Sequence, residues 1–212
     1  MIAIIDYRAG NLTSVKLAFD TIGREARITS DPACILEAER VIFPGVGAAG
    51  AAMRHLQALD LADTLREVVR RGTPFLGICL GTQIILEHSE EDGGVDTLGL
   101  LPGRVVRFAP ANRYDKVPHM GWNRVHARVP HPLFEGIADE TEFYFVHSYY
   151  PVPTTDDCTL ATTGYAGVTF ASALGRGSIV ATQFHPEKSG KAGLRLLENF
   201  CRWQPAGEEP TC

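Results

Sequence analysis

The rhythm of the first ninety residues constrains the fold most. Ile2 to Ile5 make a short apolar run ended by Asp6, and "GNLTSVKLAFDTIG" then sets Leu12, Val15, Phe19 and Ile22 at helical spacing, with Gly23 suited to the C-terminal cap. "EARIT" predicts a second strand, and "SDPACILEAER" opens with a capping residue and an early proline, the signature of another short helix. "RVIFPGVG" predicts a third strand ending in glycines. "AAMRHLQALDLADTLREVVRRG" reads as a helical stretch closed by Gly72, "PFLGI" as a fourth strand and "LGTQIILEHSE" as the next helix. Parallel strands need long crossovers, so this alternation predicts βαβ units: an α/β fold with a mostly parallel central sheet flanked by helices.

The second half changes character. "GRVVRF", "EFYFVHSYYPV", "TLATTGYAGVTFASAL" and "GSIVATQFHPE" are strand-like and separated by Gly, Pro and Asp, which predicts added antiparallel or mixed strands. "SGKAGLRLLENFCRW" predicts a last helix with Leu194, Leu197 and Phe200 as its buried stripe, and "QPAGEEPTC" reads as a frayed tail. The 212 residues suffice for one sizeable core, giving a single domain over 1–203 and a C-terminal tail over 204–212.

Composition narrows the partners. A formal net charge of -5 argues against a general nucleic-acid binder. No apolar run approaches the roughly 18 residues of a membrane span, and "MIAIIDYRAGN" lacks the features of a secretory signal. The five cysteines, Cys34, Cys79, Cys158, Cys201 and Cys212, are odd in number, widely spaced and without a C-x-x-C pair. That argues against a disulfide framework or a zinc site and for a reducing cytoplasm. No metal or cofactor is expected. The chain carries no "GxxxxGK" phosphate loop and no dinucleotide fingerprint.

Cys79 is the residue to explain. It ends the fourth strand, where open α/β sheets bind ligands, and Gly77 and Gly81 stand two residues to either side. A nucleophile on a strand-to-helix elbow needs small residues at those places, and the backbone N–H of Leu80 would then face an oxyanion. The bland reading is a buried cysteine in a glycine-rich turn. A thiol nucleophile wants a base and the base an orienting group. "ATQFHPEKS" supplies both: in extended backbone, residues two apart point the same way, so Glu187 can hold one nitrogen of His185 while the other faces Cys79. His55 and His88 lie in predicted helical stretches and read as surface residues. "FPGVG" ends a neighbouring strand, and its glycines permit a close backbone approach or a peptide flip toward an oxyanion.

In order and rough spacing, "PGVG", "GICLGTQ" and "QFHPE" resemble the class I, triad-type glutamine amidotransferases over nearly the whole chain. The resemblance implies a glutaminase that releases ammonia from glutamine, with Cys79 as nucleophile, His185 as proton shuttle and Glu187 as its orienter. It places Gly47 and Leu80 at the oxyanion hole and Gln83, His147, Ser148 and Tyr149 around the substrate. Thr82 departs from the family's frequent methionine. "DYRAGNLTSV", "KVPHMGWN" and "FYFVHSYY" are similar to the branch that serves histidine biosynthesis. That implies a heterodimer with a (β/α)8-barrel cyclase subunit, which receives the ammonia through a protected channel, with Asn11, Trp122 and Asn123 on the partner face. A packed core position is the other reading of Trp122. The rival functions are a glutaminase serving pyridoxal phosphate or anthranilate synthesis, a stand-alone cysteine hydrolase, and a pseudoenzyme on this fold.

Overall fold

Among the described residues, four strands are buried along their whole length: β1 (Ile2–Ile5), β3 (Arg40–Gly45), β4 (Phe75–Cys79) and β13 (Ile179–Thr182). A strand covered on both faces must be apolar throughout, which is why these runs do not alternate. The computed structural model describes residues 1–8 and 11–205, so the expected tail lies outside the described residues from 206 onward, as does Cys212. Between the buried strands run α1 (Leu12–Thr21), β2 (Ala26–Thr29), α2 (Pro32–Leu36), α3 (Ala49–Ala58), α4 (Leu61–Arg70) and α5 (Leu80–Ile84). The second half adds β5 (His88–Ser89), β6 (Val95–Asp96), β7 (Gly103–Arg107), β8 (His119–Ala127), β9 (Thr141–His147), β10 (Tyr149–Pro153), β11 (Thr159–Tyr165), β12 (Val168–Arg176) and α6 (Gly190–Arg202).

Among the described residues the main sheet has the order β2-β1-β3-β4-β13-β12-β11-β8-β9. The side from β2 to β13 is parallel, and the side from β13 to β9 is antiparallel. β13 is the seam, parallel to β4 and antiparallel to β12. A smaller sheet, β10-β7-β5-β6, stands beside it. Alternate residues of the parallel strands feed two cores: Ala3, Ile5, Val41 and Phe43 face one, Ile2, Ile4, Ile42 and Leu76 the other. The second core also holds Phe143, Phe145, Phe184 and Phe200, each essentially fully buried and contributing about 1.5–3 kcal/mol in apolar transfer.

Several boundaries differ from the sequence reading. The stretch before Gly72 is two helices, broken where Asp60 takes a left-handed φ of 54°. α5 stops after five residues and the chain enters β5, so His88 lies on a strand, paired with Asp96 at 2.9 Å. "EFYFVHSYYPV" divides at Ser148, sending β9 to the main sheet and β10 to the smaller one. Ala166 and Gly167, both at positive φ (51° and 78°), form the tight turn between β11 and β12. On α6, Leu196 takes the buried place expected of Leu194, which is only partly covered; Leu197 and Phe200 are buried as expected. β8 was not anticipated as a strand.

No described helix is long and apolar enough to cross a membrane. Cys34, Cys79, Cys158 and Cys201 are free thiols.

Candidate active site

β4 delivers Cys79 to the C-terminal edge of the sheet and α5 begins at the next residue, leaving Cys79 at φ 54° and ψ -107°. A non-glycine residue held there stores roughly 1–3 kcal/mol of strain, which only a rigid surround can maintain. The two flanking glycines act differently. A Cβ on Gly77 would lie 3.1 Å from the Ala181 Cβ on β13 and 3.2 Å from the Gly81 carbonyl, so this glycine clears both the turn and the strand on that side. A Cβ on Gly81 would lie 1.9 Å from the Phe43 carbonyl oxygen, so this one clears the neighbouring strand β3.

β13 lies beside β4 with Thr182 opposite Ile78, and His185 follows three residues later. The Glu187 carboxylate meets it by a different route from the one expected. Pro186 opens a 3-10 turn over Pro186–Lys188, which folds the carboxylate back onto the ring. His185 Nδ1 and Glu187 Oε1 are 2.7 Å apart, and both side chains are only 3% exposed. The His185 backbone is pinned as well: its N–H donates to the Tyr144 carbonyl at 2.9 Å, and its carbonyl accepts from Ser189 Oγ at 2.6 Å. Nε2 is buried with no partner in full hydrogen-bond geometry. It is the nitrogen left for the Cys79 sulfur. Burial pulls the His185 pKa down, but the Cys79 sulfur, as charge and as acceptor, and the Glu187 carboxylate outweigh it and raise the ring to about 10. The site therefore favours the protonated form of the His185 ring.

Two further side chains brace this pair. Gln183 Nε2 donates to Cys79 Sγ at 3.7 Å. Thr82 is fully buried and donates to the Thr182 carbonyl at 2.6 Å, tying the elbow helix to the strand that leads to His185. Gln183 stood in the motif "QFHPE" without a role; its place two residues before His185, on the same side of an extended segment, was the available signal.

In front of Cys79 lies a cavity of about 390 Å³ that brings together Gly47, Leu80, Gln83, His147, Ser148 and Tyr149. His185 and Glu187 are not on its wall. Gly47 has φ 99°, which a side chain rarely adopts. Gln83 Nε2 is spent on the Tyr149 carbonyl (2.8 Å) and Gln183 Oε1 (3.0 Å), leaving its own carbonyl oxygen unused in these bonds. Both nitrogens of His147 are engaged internally, with the Tyr149 carbonyl at 2.7 Å and His119 at 3.1 Å. Its ring therefore shapes the wall without offering a free nitrogen.

Glu91 also lines the cavity and was missed. Helix α3 starts directly after the glycine segment with Ala48 as an N-cap lacking any side-chain bond. Glu91 Oε2 accepts from the Ala49 N–H at 2.7 Å and Asp92 Oδ2 from the Gly50 N–H at 3.1 Å, supplying the cap from a distant turn. "EEDGG" looks like a surface loop, so nothing local announced this.

The residues expected at a partner face lie apart from the cavity wall. Asn11 is exposed and caps α1, its Oδ1 accepting from the Ser14 N–H at 3.3 Å. Trp122 is 55% exposed, so the core reading fails, and it packs edge-on to Tyr144. Asn123 is half-buried and donates to the Gly164 carbonyl at 3.0 Å. Among the described residues no group of three or more His, Cys, Asp or Glu is gathered to hold a metal ion.

The family model for glutamine amidotransferase class-I matches residues 4–203. The chain is 51% identical over 215 aligned positions to imidazole glycerol phosphate synthase subunit HisH of Methylococcus capsulatus, covering 96% of this chain and 97% of the relative. It is 53% identical to the subunit of the same name from Desulfovibrio desulfuricans, over 94% of this chain and 93% of that one. Among solved structures, PurLQS from Thermotoga maritima superposes with a TM-score of 0.72 over 95% of this chain and 97% of that one. At 16% identity that likeness speaks for the fold alone.

Proposed function

The chain belongs to the class-I glutamine amidotransferases, and from that membership we propose that it is the glutaminase subunit of an imidazole glycerol phosphate synthase. It hydrolyses glutamine to glutamate and ammonia and passes the ammonia to a (β/α)8-barrel cyclase subunit in histidine biosynthesis. The observation that carries the chemistry is the strained Cys79 beside a buried His185–Glu187 pair held at 2.7 Å.

The steps follow from the groups present. The Cys79 thiolate attacks the side-chain amide carbon, and the oxygen charge that develops is met by the N–H groups of Leu80 and Gly47. The C–N bond breaks as the His185 imidazolium gives its proton to the departing nitrogen, leaving a glutamyl thioester and ammonia. His185, now neutral, takes a proton from water as that water attacks the thioester. Glutamate leaves and the thiolate–imidazolium pair is restored. Glu187 keeps Nε2 aimed at these transfers. Gln83, Ser148 and Tyr149 hold the amino-acid end of the substrate.

The surroundings support delivery to a partner. Met120 and Trp122 on β8 are exposed and stand opposite Val146 and Tyr144 on β9, and Val146 lines the cavity. An apolar partner surface seated there would cover the cavity mouth, and ammonia released under it would escape the protonation that bulk water imposes.

The test is a pair of assays on the complex with a synthase subunit. Cys79→Ala should abolish glutamine-dependent synthesis while added ammonia still supports it. Loss of both activities, with the complex intact, would remove the purely glutaminase role.

A further inference from the structure

β8 and β9 pair with His119 opposite His147, and the two rings meet on the inner face of the sheet. Both are buried, at 3% and 6% exposure. Their hydrogen bonds have one consistent direction. The Tyr149 carbonyl can only accept, so His147 Nδ1, 2.7 Å away, carries a proton. A neutral His147 then accepts at Nε2, and His119 Nδ1, 3.1 Å away, must be the donor. His119 Nε2 is left to accept, and Asn123 Nδ2 stands 3.2 Å from it while also donating to the Gly164 carbonyl. The proton order is thus fixed from Asn123 through His119 and His147 to Tyr149. Neutrality of both rings agrees with burial, which lowers His119 to about 4 and His147 to about 3 despite the Tyr149 carbonyl.

The His119 ring cannot turn freely. It is stacked between Tyr165 (centroids 3.9 Å apart) and Phe145 (4.9 Å). At the far end, the Tyr149 carbonyl accepts from Gln83 Nε2 as well, and Gln83 leads through Gln183 to the Cys79 sulfur. Two chains of bonds therefore converge on one carbonyl. They do so at Tyr149, the first residue of β10, directly after the chain leaves the main sheet at Ser148.

We propose that His119 is a positioning residue of the glutaminase. By donating Nδ1–H to His147 it holds His147 in the tautomer that bonds the Tyr149 carbonyl, and so fixes the 147–149 wall of the substrate cavity against Gln83. The role rests on the glutaminase reading above, because it is glutamine that this wall receives. Asn123, beside the exposed Trp122, sets the same order from the outer end.

Three measurements decide it. Long-range ¹H–¹⁵N NMR on the wild-type chain should show both His119 and His147 as neutral Nδ1–H tautomers at pH 7; an Nε2–H tautomer on His147 overturns the proposal. His119→Phe keeps the stacked slab and removes both nitrogens; in the complex with a synthase subunit it should raise KM for glutamine roughly tenfold, the worth of one well-made hydrogen bond, and leave ammonia-dependent synthesis unchanged. His119→Asn places an amide N–H near the position of Nδ1 and should recover most of that loss. A folded His119→Phe with unchanged KM, or a His119→Asn no better than it, reduces His119 to packing. If His119→Phe does not fold, the tautomers and His119→Asn still decide. A wild-type complex that fails to turn over glutamine would instead sink the glutaminase reading, and the NMR result would stand apart from it.

Discussion

In the proposed triad, Cys79 and His185 are prepared for their roles in opposite ways. The cysteine is forced into a backbone shape it resists, whereas the histidine is held by partners on every side but one. Glu187 is the partner whose chemistry matters most. Its carboxylate can only accept, so it fixes the proton of His185 on Nδ1 and, by charge, helps keep the ring protonated. Glu187→Gln preserves the shape but can present an amide N–H to Nδ1, moving the ring proton to Nε2, where it blocks the base. Turnover with glutamine should fall by about 10²–10⁴-fold, the range expected when a triad loses its orienting carboxylate. The histidine, raised to about 10 partly by Glu187, should also lose its proton at lower pH. The alkaline limb of whatever activity remains then moves downward, and a kcat profile against pH reads both effects. Normal turnover would take Glu187 out of the triad. Thr82 fits the same picture: its hydroxyl makes a direct bond to the strand leading to His185.

Strand pairing sets what the elements can hold, and here it buries two histidines opposite each other on β8 and β9. Their folded-state pKa values, about 4 and about 3, lie below the unfolded value near 6.5. The sign follows: between these limits the unfolded chain binds more protons, so the stability is fully present above pH 6.5 and drains as pH falls toward 4. Both rings contribute to this loss in the same direction. Urea titrations at pH 7 and pH 5 on wild type and His119→Phe should show the variant with a distinctly shallower loss; parallel losses would place the acid sensitivity elsewhere. These strands also mark the limit of sequence reading. The apolar runs of β1, β3 and β4 and the helix after each were legible because burial on both faces leaves no other pattern. β8 was not, because "HMGWNRVHA" buries only His119 and Val125 and mixes polar with apolar residues, so it lacks a strand's clean alternation. The proposed triad could be read because its three residues, which the fold brings together, lie in two short motifs. Glu91, Gln183 and the His119–His147 bond became visible only through contacts between distant segments.

The main sheet divides its two sides between tasks. The parallel side and its helices build the cysteine elbow, and the antiparallel side contributes one wall of the cavity and an exposed surface beside it. That surface is where the proposed partner would matter. Met120 and Trp122, two residues apart on β8, are 64% and 55% exposed, an apolar display that a docked partner would cover. Trp122 is already braced by Tyr144, whose ring lies 6.5 Å from that of His185. A partner seated on Trp122 would thus press on the strand that backs the proposed catalytic pair as well as close the cavity. Trp122→Ala should weaken binding of the synthase subunit by about 2 kcal/mol, a loss near thirtyfold, as expected when an aromatic anchor at the centre of an interface is truncated. Because Trp122 is exposed in the free chain, its removal should leave the thermal midpoint of that chain almost unchanged, which separates docking from folding. Calorimetric titration of the variant with the synthase subunit reads the first effect and a melting curve the second. An unchanged dissociation constant would move the partner's footprint away from β8, and with it the account of how ammonia is kept from water.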